Sequence, residues 1–116
     1  MDTSKESIQE EQLSEIHIDL TAARRGDLSE SFLTMFGGAI KMILKSLFGG
    51  SAIPVKVTGT QGDISSFAQA MGREKSYLQT WSKYGLDNPR TYRNKSKLTS
   101  AVSQFERKTG LKWPFK

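Results

Sequence analysis

The segment Pro89-Arg90-Thr91-Tyr92-Arg93-Asn94-Lys95-Ser96-Lys97 sets four bases around one tyrosine. Phosphate backbones are held by such a set: cations for the charge, small polar donors such as Thr91, Asn94 and Ser96 for the oxygens, and an aromatic face for stacking. Taken as a basic loop between two helices, it makes Arg90, Tyr92, Arg93, Lys95 and Lys97 the candidate contacts for nucleic acid or an acidic partner. A basic interhelical loop is also commonly just solvated, and Tyr92 suits a core as well as it suits a base. Arg73, Lys75, Lys83, Arg107, Lys108 and Lys112 extend the patch if they share a face. Nothing in the sequence looks like a base-reading helix, so any such binding is expected to be salt-sensitive and blind to base sequence.

Catalytic chemistry finds few candidates. The one histidine, His17, sits among strand residues, and there is no cysteine for a thiolate nucleophile, a zinc site or a disulfide. The sequence contains no Gly-x-Ser-x-Gly elbow, no phosphate loop ending in Gly-Lys-Ser/Thr, and no His-Glu-x-x-His helix. The four acids after Glu30 (Asp63, Glu74, Asp87 and Glu106) are scattered, which is no pattern for a metal. The expectation is a protein that is not an enzyme, with no cofactor and no metal.

Contacts with other proteins have three candidate features. The chain closes on Trp113-Pro114-Phe115-Lys116, where Trp113 and Phe115 either plug a partner's pocket or close their own core. The run Ala52 to Val57 alternates like an edge strand, with Pro54 arguing for the edge. Charge is also unevenly shared. Residues 1–30 carry eight acids against three bases, a net −5, whereas residues 31–116 carry four acids against 14 bases, a net +10. Residues 1–12 offer little to bury and read as a disordered acidic arm, free to order on a neighbour or to fold back on the basic body.

The elements that must carry these residues fit one small domain, residues 13–116 of a 116-residue chain. Ile16, Ile18 and Leu20 alternate as one face of a strand, and a turn follows through Arg24-Arg25-Gly26. Asp27-Leu28-Ser29-Glu30 has capping-box spacing and opens a helix from Leu28 to Phe48, stopped by Gly49-Gly50. Its stripe is Leu28, Phe32, Met35, Phe36, Ala39, Ile43 and Leu47, widened by Leu33, Ile40, Leu44 and Phe48, which makes it the expected centre of the core. Gly37-Gly38 in mid-helix costs about 1 kcal/mol per glycine relative to alanine, so a kink or a close approach must offset it, either within the chain or by a second copy.

After the Thr58-to-Asp63 loop, with Asp63 as N-cap, Ile64, Phe67, Ala68, Met71, Leu78 and Trp81 keep a helical period to Tyr84, with a bend or break at Gly72. Gly85-Leu86 fits a Schellman end, with Leu86 folding back near Trp81. A last helix is expected from about Ser96 to Thr109, ending at Gly110-Leu111. The pattern K-x-G-L-x-x-P occurs at 83–89 and again at 108–114, which reads as shared helix-end chemistry rather than a repeat. The fold class is therefore α+β, mainly helical: two short strands on one long apolar helix, with two or three shorter helices.

Phe32 to Phe48 taken alone also resembles a membrane-active amphipathic helix, with Lys41 and Lys45 on its narrow polar face. The charge-free run Ser31 to Ile40 is too short to cross a bilayer, so neither a transmembrane segment nor, with an acidic N-terminus, a signal peptide is expected. Small size, absent cysteine, the apolar 28–48 helix, the basic helical half and the Lys112-Trp113-Pro114-Phe115-Lys116 end together resemble small virion or accessory proteins of tailed bacteriophages. The resemblance implies a structural, assembly-type role in a virion or the cytoplasm, with other protein chains or a second copy as partners, and it brings no site residue with it. The alternatives are a sequence-independent nucleic-acid binder using 89–97 and, third, membrane activity of the 28–48 helix.

Overall fold

The fold was analysed on a computed structural model, which describes residues 15–22, 26, 28–49 and 53–115. Residues 1–12 of the acidic arm and Asp27 of the capping box lie outside them. The architecture is mainly helical α+β: β1 (Ile16–Asp19), α1 (Glu30–Gly49), β2 (Val55–Thr58), α2 (Gln61–Tyr84) and α3 (Pro89–Thr109).

Alternation in β1 buries Ile16 and Ile18 and turns His17 outward. β2 pairs with it in parallel, Ile16 opposite Val55 and Asp19 opposite Thr58. Parallel neighbours need a crossover between them, and α1 supplies it. Pro54 has no N–H to give, but its carbonyl accepts from the Ile16 amide at 2.9 Å, so the pairing begins one residue before the strand. Of the alternating residues Ile53, Val55 and Val57, Ile53 and Val57 pack on the core, whereas Val55 is exposed.

Ser29 caps α1, its Oγ accepting from the Phe32 amide at 3.1 Å. The buried apolar positions are Phe36, Ile40 and Leu44, one i, i+4, i+8 row, flanked by half-buried Phe32, Ala39 and Ile43, and Ser46 is buried beside them. Leu28, Met35 and Leu47, expected on the stripe, are exposed. The helix is thus one wall of the core rather than its centre. That centre is Phe105, Trp113 and Leu111, with Phe67 tilted against both rings and Phe105 meeting Trp113 edge-on at 5.3 Å.

Thr60 caps α2 by accepting from the Asp63 amide at 3.1 Å, which puts Asp63 in the first turn, buried, rather than at the cap. The helix passes Gly72 without a break and ends on Gly85, whose φ of 82° and ψ of 175° are not the left-handed helical pair of a Schellman end. Leu86 consequently points away and is 54% exposed. Gly110 does adopt that pair, φ 78° and ψ 0°, and Leu111 after it is fully buried. The two copies of K-x-G-L-x-x-P share a positive-φ glycine and little else.

The largest departure lies between these glycines. α3 starts at Pro89, with Asn88 as N-cap accepting from the Arg90 amide at 2.9 Å, so 89–97 is not a loop but the first half of a helix. With 24 and 21 residues, α2 and α3 are longer than the 20-residue α1, and not the shorter helices expected.

Candidate nucleic-acid interface

α2 and α3 form a helical hairpin whose turn is only residues 85–88. Its inner seam is set by Thr91, Leu98, Ala101, Phe105 and Thr109, which are buried, and by Asn94, whose Nδ2 donates to Thr80 Oγ1 at 3.2 Å. Thr91 Oγ1 donates to the Gly85 carbonyl at 2.7 Å and pins the start of α3 to the end of α2. With that face turned inward, the 3.6-residue period decides where the basic side chains go.

Arg90, Arg93 and Lys97 follow the spacing i, i+3, i+7 and stand in one exposed row, which Ser100, Gln104 and Lys108 continue at the same period. α3 carries six bases and, before Glu106, no acid. Lys95 leaves that row for the opposite flank, where its Nζ lies 4.9 Å from the centre of the Tyr77 ring. Tyr92 is 60% exposed and turned away from the core, on the outer side between the two flanks. The five residues singled out in the sequence are therefore all on the surface, but they form a three-residue basic row plus two residues elsewhere, not one mobile cluster.

The hairpin tip adds groups that the basic run did not announce. The Arg90 guanidinium lies 4.9 Å from the Tyr84 ring centre and donates to the Tyr84 hydroxyl at 2.6 Å, and Lys83 Nζ is 5.4 Å from the same ring. Partial desolvation pulls the Tyr84 phenol up, yet the Arg90 and Lys83 charges and their hydrogen bonds outweigh it, leaving the phenol below its ordinary value. Tyr77 stacks on Trp81 with centroids 6.5 Å apart, and Trp81 remains 47% exposed. Tyr77, Trp81 and Tyr84 share one helix face by their i, i+4, i+7 spacing, a signal readable in the sequence but naturally taken for a core stripe. Together the tip offers fixed cations beside an open aromatic face.

The other candidate contacts are placed differently. Trp113, considered as a partner anchor, is 2% exposed and closes the chain's own core: its Nε1 donates to Glu74 Oε1 at 2.9 Å and its amide to Glu106 Oε2 at 2.8 Å. Phe115 is half-buried against the same core and lines a groove of about 280 Å³ with Leu44, Glu74, Tyr77, Leu78, Lys95 and Leu98. His17 Nε2 lies 2.8 Å from Thr58 Oγ1 across the two strands. Among the described residues no group of three or more His, Cys, Asp or Glu could hold a metal. α1, with Lys41 and Lys45 in it, is long and apolar enough to cross a membrane by length and composition, a test that core helices also pass.

Comparison with protein-family models, with curated proteins and with solved structures finds no match for this chain.

Proposed function

We propose that the chain is a non-enzymatic binding protein that holds the phosphate backbone of nucleic acid on the outer face of its α2–α3 hairpin. The observation that supports this reading is the exposed row Arg90, Arg93, Lys97 on a helix with no acid before Glu106. Rows at this spacing put successive Cβ atoms about 5–6 Å apart, so the long basic side chains that they carry reach the phosphates of one strand together. Lys83 and Arg90, gathered around one phenol at the tip, gain from an added anion, and exposed Trp81 and Tyr92 supply faces on which an unpaired base stacks.

The test is a salt series with labelled single- and double-stranded DNA, read by fluorescence anisotropy. With three phosphate contacts on duplex, log K against log salt should fall with a slope of about −3, and Arg93→Gln with Lys97→Gln should reduce its magnitude by about 2. Lys95→Gln, on the other flank, should leave the slope unchanged. No binding at about 50 mM salt, where backbone contacts are strong, would sink the reading.

A second reading is an assembly component of the virion type, contacting other protein chains. It is favoured by β2, which pairs with β1 alone among the described strands and exposes Val55, so its outer edge can accept a strand. Pull-down from the native source that returned a protein partner resistant to nuclease would favour it over the first.

A further inference from the structure

α1 carries a second surface, independent of the basic hairpin. Its outward face runs through Glu30, Met35, Gly38, Met42 and Lys45, all exposed, with Met35 at 72%. Gly38 lies near the middle of the helix, and a Cβ placed there would meet nothing within 4 Å. The helix-propensity cost of this glycine is therefore not offset within the fold, whereas a Cβ at Gly37 would make an ordinary contact with Pro114 at 3.5 Å. A bare mid-helix position between two exposed methionines is where another helix can come close.

We propose that this face binds the same face of a second copy of the chain, the two α1 helices crossing antiparallel at Gly38. The argument is self-complementarity. A two-fold axis perpendicular to the helices keeps each flank against the same flank of the other copy and reverses the direction along it. At 1.5 Å per residue, a group about seven residues before Gly38 then faces one about seven residues after it. On one flank Glu30 meets Lys45 of the second copy; on the other Met35 meets its Met42. Each contact occurs twice. Beside Met42 a groove of about 360 Å³ bounded by Lys45, Ser46, Gly49 and Ile53 receives the incoming methionine, a side chain suited to irregular gaps. A parallel pair would set Glu30 against Ser31 and Lys45 against Ser46, with no charge matched. Lipid fits the face less well, since Glu30, Lys41 and Lys45 share its polar flank and would have to enter hydrocarbon.

Sedimentation equilibrium of the full chain from about 1 to 100 µM tests this, with every 1.4 kcal/mol read as tenfold in Kd. The wild-type chain should be dimeric at the upper end. Gly38→Leu, which meets open space in the single chain, should weaken the dimer at least about tenfold while leaving the melting temperature unchanged or higher. Glu30→Lys and Lys45→Glu should each be monomeric alone and should form a heterodimer when mixed, because only an antiparallel pair then restores both ion pairs. A wild-type chain that stays monomeric throughout overturns the proposal, as does Gly38→Leu dimerising as tightly as the wild type, or charge variants that do not pair on mixing. Equal retention of wild type and Gly38→Leu on uncharged phosphatidylcholine vesicles, with no dimer in buffer, would assign the face to lipid and overturn it as well.

Discussion

The indole of Trp113 donates a 2.9 Å hydrogen bond to Glu74, a carboxylate only 3% exposed and 39 residues away in sequence. This one bond ties the C-terminal tail to the middle of α2 and gives a buried carboxyl oxygen the donor without which its burial is costly. Trp113→Phe keeps the ring but leaves the carboxylate without its donor, so it should destabilise the fold by about 1–3 kcal/mol in urea unfolding. Adding Glu74→Leu should recover part of that loss, because an apolar pair no longer needs the bond. Strictly additive costs would mean the bond contributes nothing.

The glycines separate by backbone geometry. Gly110 is left-handed helical at φ 78° and ψ 0°, where a Cβ crowds the following carbonyl and alanine should cost about 1–2 kcal/mol; Gly85, at φ 82° and ψ 175°, lies in a region essentially restricted to glycine, where alanine should cost about 1–3 kcal/mol. Gly72 is in mid-helix with open space around its Cβ position, and alanine there should stabilise by about 0.5–1 kcal/mol. Thermal melts of the three single variants check the sign of each; Gly72→Ala melting below the wild type would contradict the helical geometry assigned to it.

How far these elements could be read from the residues depended on whether their buried faces were apolar. β1 and the end of α3 at Gly110 follow directly from alternation and a C-terminal glycine. The first half of α3 did not, because its inward positions are Thr91 and Asn94, which satisfy partners across the seam and leave no hydrophobic period to detect. The sign was in Asn88-Pro89, an N-cap followed by a proline at the first helical position. In α1 the difficulty was the reverse. Apolar residues on most sides give the period without saying which side is inward, and only packing against β1, α2 and the Phe105 ring selects Phe36, Ile40 and Leu44 over Met35 and Leu47. The basic row shares this history: its residues were evident, and their division between two flanks required knowing that they are helical.

Tyr84 gives the tip a titration of its own. Burial of the ring raises the phenol, but the Arg90 and Lys83 charges and hydrogen bonds leave it below the ordinary 10.0. A depressed acid stabilises the fold fully above its unfolded value, and that contribution is lost as pH falls through the folded value. The tip therefore adds nothing by this route at neutral pH and tightens only in alkali. Absorbance of the phenolate should show one tyrosine titrating early, and Arg90→Gln should return it towards the ordinary value. An unchanged titration would place the shift elsewhere.

The acidic N-terminal residues bear on the basic row through charge. Residues 1–12 hold four acids and one base, while α3 holds six bases and one acid. An acidic stretch on the same chain competes with any other anion for that row at an effective concentration far above what a free competitor reaches. Deleting residues 1–12 should therefore strengthen DNA binding at low salt, and the gain should fade as salt screens both interactions, with a Debye length near 10 Å at 0.1 M. The wild-type and shortened chains should converge at high salt. Equal affinity at low salt would show that the acidic residues do not reach the row, and the effect of Arg93→Gln with Lys97→Gln would then be the same in both chains.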